Sequence, residues 1–213
     1  MELKETIKIK YDKYLVIGSL FFVIGFFLLA MTNCIDQNKE KLEDESVKHY
    51  YDTEIIEEAI ENETKEEPVE EIKENNKKQK VINYIGVINI PKVNLEKGLV
   101  EKDSYLNNIS KNIEILNESD MPDIENGNFI LASHSGNGAI AFFKDIHKLR
   151  QDDLISINYK QIKYDYKVVN MYHVEKNGSA HIVRNANKDT LTLITCVDGE
   201  EKQLIVIAEK VKI

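Results

Sequence analysis

From Tyr14 to Ile35 the chain runs for 22 residues without a charge, and most of them are Leu, Ile, Val or Phe. A helix rises 1.5 Å per residue, so roughly 20 such residues match the ~30 Å hydrocarbon layer of a bilayer. Gly18 and Gly25 are tolerable inside a membrane helix. A cleaved signal peptide would want a shorter apolar core and a small-x-small cleavage site. Met31-Thr32-Asn33-Cys34 supplies neither that site nor a convincing lipoprotein box. The expectation is an uncleaved signal anchor over residues 14–35, with residues 1–13 as a cytoplasmic tail. Lys4, Lys8, Lys10 and Lys13 precede the span and a net-acidic stretch follows it, which puts the N-terminus inside and the rest of the chain outside.

The formal charge of −9 is concentrated in one place: residues 36–80 carry sixteen acidic and eight basic side chains. That segment is poor in apolar residues and cannot bury enough surface to offset its ordering entropy. Ile55, Ile56, Ala59 and Ile60 would suit a turn or two of amphipathic helix. The preferred reading of 36–80 is a solvated, self-repelling stalk that holds a folded domain away from the bilayer. Nothing in the chain is basic enough to imply a nucleic-acid partner.

From Val81 to Ile213 the texture changes to short β-rich runs between turn residues, enough chain for a single core. Strands are expected at Ile85–Ile90, Asn128–Ala132, Leu154–Tyr159, Ile162–Val174, Thr190–Thr195 and Gln203–Ala208. Ser104–Ile109 and Ala139–Leu149 read as short helices. Many strands at this spacing with few helices indicate a mainly β domain, a closed barrel or a sandwich.

Two positions in this domain suggest chemistry. His134 ends an apolar strand and enters Ser135-Gly136-Asn137-Gly138, and Cys196 ends another strand before Asp198-Gly199. Strand ends beside glycine-rich loops place polar side chains at the rim of a barrel, where sites form. A thiolate is a strong nucleophile and an imidazole can serve as its proton partner. A structural histidine and an inert cysteine are the alternative on these residues alone. His49 falls in the stalk, and His147 and His173 read as packing or surface residues. The scattered histidines and two distant cysteines, Cys34 and Cys196, have no metal-ligand spacing, so no metal or cofactor is expected.

At residues 84–213 the domain resembles the sortases, the cysteine transpeptidases of Gram-positive surfaces. Ile85-Gly86-Val87-Ile88-Asn89-Ile90-Pro91-Lys92-Val93 looks like the family's opening strand, and Asn128 to His134 like the strand ending in its catalytic histidine. Phe142 to Ile146, and on to Ile155, is similar to the family's helix and following strand. Thr190-Leu191-Thr192-Leu193-Ile194-Thr195-Cys196 matches its TLxTC signature. The resemblance implies an eight-stranded sortase-type β-barrel with one or two short helices behind a transmembrane helix. It also implies cleavage of a Leu-Pro-x-Thr-Gly-like sorting signal after the Thr, through a Cys196 thioester. An amine of the cell-wall cross-bridge, or a pilin lysine, then takes the acyl group. Surface proteins bearing the signal would be the partners. Thr195, Lys202 and His181 are expected along the substrate path, and the short 175–189 segment suggests a class A or D-like member rather than class B.

One departure stands out. The family's usual arginine at the start of the last strand falls here on Gln203, because both arginines, Arg150 and Arg184, precede Cys196. Gln203 donates through its amide without charge, and charge-assisted bonds are roughly twice as strong. A shift of one residue would bring Lys202 inward instead. L,D-transpeptidases, which also pair His with Cys, need a Ser-x-Gly-Cys-x-Arg context that Ile194 to Asp198 lacks. The non-enzyme alternative is a sortase-fold module that binds sorting-signal peptides without cleaving them.

Overall fold

A computed structural model describes residues 13–62 and 82–211. Helix α1 spans Lys13–Asn62 and eight strands follow: β1 Gly86–Ile90, β2 Leu95–Leu99, β3 Glu114–Ile115, β4 Asn128–Ala132, β5 Leu154–Tyr159, β6 Ile162–Glu175, β7 Thr190–Cys196 and β8 Lys202–Lys210. They form one sheet in the order β2-β1-β5-β6-β8-β7-β4-β3, curled into a nearly closed barrel. The order puts β4 beside β7 in parallel, and all other pairings are antiparallel. Between the two edge strands, the Asn112 side-chain amide donates to the Gly98 carbonyl at 3.1 Å.

Alternation along each strand sends one set of side chains inward. Ile88, Ile90, Phe129, Leu131, Ile155, Ile157, Tyr166, Leu191, Leu193, Leu204 and Val206 fill the barrel, capped by Phe143, Ile146 and Leu149 from the β4–β5 connection. Each fully buried Leu, Ile or Phe contributes about 1.5–3 kcal/mol relative to exposure. A second, smaller cluster lies on the opposite face: Ile130, Ile194, Ile205 and Ile207 pack beneath Tyr172, Val174, Ala180 and Ile182.

The two helical stretches expected inside the domain do not form. Residues 104–109 are turns held by side chains, with Asn107 donating to the carbonyls of Lys102 and Ile115 and accepting from Ile115 N–H. Between Ala139 and Leu149 only one 3₁₀ turn appears, at Ile146–Lys148. Its apolar residues cap the barrel one at a time, which an extended, turning backbone does better than a regular helix.

The part of α1 up to Lys41 forms a compact unit of its own, and the barrel unit begins at Leu42. In the first, Leu20, Phe21, Phe22, Phe26 and Phe27 are 59–77% exposed, and the helix is long and apolar enough to cross a membrane. Such a surface is unfavourable in water and suits hydrocarbon, where a helix satisfies its own backbone.

Beyond it the structure departs from the solvated stalk expected from residue 36. The helix continues to Asn62, and Ser46 and Val47 are buried against the barrel. Ser46 Oγ accepts from Ile82 N–H at 3.1 Å, Tyr51 Oη donates to Glu96 at 3.2 Å, and Glu43 pairs with the buried Lys97. The acidic composition hid this docking because its partner cation lies some fifty residues away. The rest of the expected stalk, 63–80, lies outside the described residues, as do residues 1–12 of the expected tail.

Candidate active site

The ladder between β4 and β7 pairs Asn128 with Thr190 and closes at Ala132 with Ile194. Two residues further along each strand come His134 and Cys196. Residues opposite one another in a parallel pair share a face, so this register, carried two residues further, puts the imidazole and the thiol on one face of two neighbouring strand ends. On the other side of Cys196 the β7–β8 ladder pairs it directly with Gln203, and the β6–β8 ladder pairs Gln203 with Val174. A row of His134, Cys196, Gln203 and Val174 therefore crosses four neighbouring strands on the outer face of the barrel. It continues the apolar face of Ile130, Ile194, Ile205 and Ile207. His134, Cys196 and Gln203 are all half-buried, reachable by a peptide laid along that face.

The register also fixes where Lys202 goes. It alternates away from Gln203, pairs across the ladder with Glu175, and its ammonium bonds Glu200 at 2.9 Å. Donating that bond to the Glu200 carboxylate, and the carboxylate's charge, raise the lysine's pKa, while accepting it from the charged lysine lowers that of the glutamate. Lys202 thus does not share the face of Cys196. Thr195 is buried with its hydroxyl donating to the Ser133 carbonyl at 2.8 Å, so it ties the two strand ends together beneath the pair. His181 is exposed on the segment that covers the outer apolar cluster. Its carbonyl accepts from Tyr172 Oη at 2.9 Å, and that tyrosine hydroxyl in turn accepts from Val183 N–H at 2.7 Å. Arg184 fastens the far end of that segment, donating to the carbonyls of Asn126 and Lys188 at 3.1 and 3.3 Å.

Sequence reasoning passed over three residues at the site. Tyr172 pins the covering segment. Ser135 and Asp198 join the loops that follow His134 and Cys196, with Ser135 Oγ donating to Asp198 Oδ1 at 2.8 Å. Their one sequence signal is that each stands just before a glycine. Gly136 and Gly199 have φ of 89° and 75°, a region that other residues enter at a cost. The β4–β5 connection is held on the same side, as Phe143 N–H donates to the His134 carbonyl at 3.1 Å. Among the described residues no group of three or more His, Cys, Asp or Glu side chains is placed to hold a metal. The side chain of Cys34 is outside the described set.

Comparison with known proteins agrees with this fold. The Sortase domain model matches residues 88–211, more than half of the chain. The chain belongs to the sortase family of cysteine transpeptidases. It is 26% identical over 131 residues to Sortase D of Bacillus subtilis (strain 168), a match covering 59% of this chain and 63% of that protein. The chain therefore spans less than two thirds of that relative's length. Among solved structures, a lid mutant of Sortase A from Corynebacterium diphtheriae superposes with a TM-score of 0.55 at 22% identity, covering 62% of this chain and 72% of the other. A Clostridium perfringens Sortase D5 transpeptidase gives 0.52 at 26% identity, covering 61% of this chain and 80% of the other.

Proposed function

We propose that this protein is a membrane-anchored cysteine transpeptidase that cleaves a Leu-Pro-x-Thr-Gly-like sorting signal and transfers the acyl group to an amine. The observation that carries the reading is the row His134, Cys196 and Gln203 on three adjacent strands of a sortase barrel. Cys196 Sγ attacks the Thr carbonyl carbon of the signal. Gln203 donates its side-chain amide to the oxyanion or to the neighbouring peptide backbone. His134 gives a proton to the Gly nitrogen as the C–N bond breaks, leaving a thioester on Cys196. An incoming amine attacks the thioester, His134 takes its proton, and the C–S bond breaks to restore the thiolate. The amine comes from a cell-wall cross-bridge or a pilin lysine. The apolar N-terminal part of α1 spans the membrane once, with the lysine-bearing end inside and the catalytic domain outside.

The neutral Gln203 favours a second reading, a module that holds sorting-signal peptides without turnover. One experiment separates the two. The full chain in detergent is incubated with Leu-Pro-x-Thr-Gly-like peptides and followed by intact mass, beside Cys196→Ala and Gln203→Ala. A thioester-sized gain on the wild type, absent in Cys196→Ala and released by an added amine, is expected. Gln203→Ala is expected to slow acylation by about 10²-fold, the usual scale for one oxyanion donor. Peptide binding with no adduct across the library would replace the enzyme with the binding module.

A further inference from the structure

We infer that Ser135 and Asp198 form a positioning clamp that holds His134 and Cys196 within proton-transfer reach. The inference rests on the transpeptidase reading above and adds two residues to it.

The physical need arises from sheet geometry. Adjacent strands are rotated by roughly 20–25° relative to one another, so two parallel strands diverge once their ladder ends. The β4–β7 ladder ends at Ala132 and Ile194, two residues short of His134 and of Cys196. Its last links are Ser133 N–H to the Ile194 carbonyl at 3.2 Å and Thr195 Oγ1 to the Ser133 carbonyl at 2.8 Å. His134 and Cys196 follow immediately, on backbone that no longer belongs to the β4–β7 ladder. Proton transfer between their side chains needs a heavy-atom approach of about 2.6–3.2 Å, directly or through one water.

The next link beyond them is the 2.8 Å hydrogen bond from Ser135 Oγ to Asp198 Oδ1. The pair is thus bracketed, by Thr195 and Ser133 below and by Ser135 and Asp198 above. The backbone serves this bracket on both sides. Each clamp residue is followed by a glycine at positive φ, Gly136 at 89° and Gly199 at 75°, so both loops turn back just after the clamp. A Cβ built on Gly136 would lie 3.6 Å from Asp198 Oδ1, which shows how closely the carboxylate sits over the histidine loop. Ser135 is half-buried and Asp198 exposed, so the bond costs little as stability and acts on alignment. Neither residue needs to touch the substrate.

The test is single-turnover acylation of Cys196 in the full chain in detergent, with a Leu-Pro-x-Thr-Gly-like peptide and quenched intact-mass readout. Ser135→Ala and Asp198→Ala are each expected to lower the maximal acylation rate about tenfold, on the scale of a small misplacement of reacting groups. Half-saturating peptide concentration should stay within about twofold. The double variant should be no slower than either single, because both remove one bond. Asp198→Asn keeps an acceptor oxygen and should recover most of the rate lost in Asp198→Ala. Melting curves run beside the kinetics detect a bond that only stabilises the fold, which would lower the melting temperature and leave the rate alone. An adduct forming at the wild-type rate in all variants, or losses that multiply in the double, would overturn the clamp and leave the transpeptidase standing. A wild type that binds peptide and never acylates would instead overturn the transpeptidase, and the clamp with it.

Discussion

Strands β7 and β8 carry two apolar faces that do different jobs. The inner face, with Leu191, Leu193, Leu204, Val206 and Ala208, meets side chains from most of the other strands and is closed to solvent. The outer face, with Ile194, Ile205 and Ile207, is closed by one strand end and a segment of irregular chain that brings Ala180 and Ile182. The first is a core that any barrel of this size requires. The second is apolar surface that a barrel does not need. It leads to Cys196 and Gln203 and is covered by the type of element that moves most easily. On the proposed function, stability belongs to one face and recognition to the other, although the residues alternate along the same two strands.

Five substitutions test that division, beginning with the largest effect. Cys196→Ala should lower transfer by about 10³-fold or more while leaving the melting temperature in place, since the thiol is half-buried at a strand end. Loss of folding in that variant would mean that the outer row is structural after all.

Next come the two apolar faces. Leu193→Ala empties a site fully enclosed by the barrel and should cost about 2–5 kcal/mol in urea unfolding. Ile205→Ala lies beneath a covering segment able to settle into the space, so its cost should fall at the low end of that range, with a rise in KM for the peptide. Equal costs and an unchanged KM would erase the distinction.

Tyr172→Phe removes both hydrogen bonds that pin residues 181 and 183. About 1 kcal/mol of stability should be lost together with a several-fold rise in KM. A change in the maximal rate without a change in KM would point away from a recognition role for the covering segment.

The smallest effect concerns the outer surface remote from the site. Asp165 accepts from Ser156 Oγ at 2.5 Å and lies beside Lys163, which hold its carboxyl below the usual aspartate range. A pKa lower in the folded than in the unfolded chain stabilises the fold above the unfolded value, near 3.9, and the contribution is lost as pH falls through the folded value. Ser156→Ala should therefore melt lower than wild type at neutral pH, and the gap should close as acid protonates Asp165. Transfer activity should be unaffected.

The outer and inner faces also differed in how far they could be read in the amino-acid sequence. Strands β1, β4, β5, β6, β7 and β8 announce themselves by alternation or by compact apolar runs between turns, and His134 and Cys196 by ending two of them. Strand β2 does not, because Leu95-Glu96-Lys97-Gly98-Leu99 interrupts its pattern with a lysine and a glycine. Each interruption has a tertiary cause. Lys97 is buried because Glu43 of α1 meets it and the Phe142 ring lies 4.2 Å from its ammonium. Gly98 lacks a Cβ because one would fall 2.2 Å from the Tyr84 ring. Strand β3, at two residues, is too short for any period to show.

By itself the sequence determined the division into an apolar helix and a β domain, and it singled out His134 and Cys196 at two strand ends and Gln203 where the family resemblance expects an arginine. Those depend on composition, on period and on local motifs, which a linear chain carries openly. Tertiary structure alone decided that Gln203 rather than Lys202 faces with Cys196, since one residue of slip would exchange them. It alone brought Glu43 to Lys97 and Ser135 to Asp198, which are 54 and 63 positions apart. Pairs so distant in the chain meet only when strand order and register are set. Those depend on how the whole barrel closes.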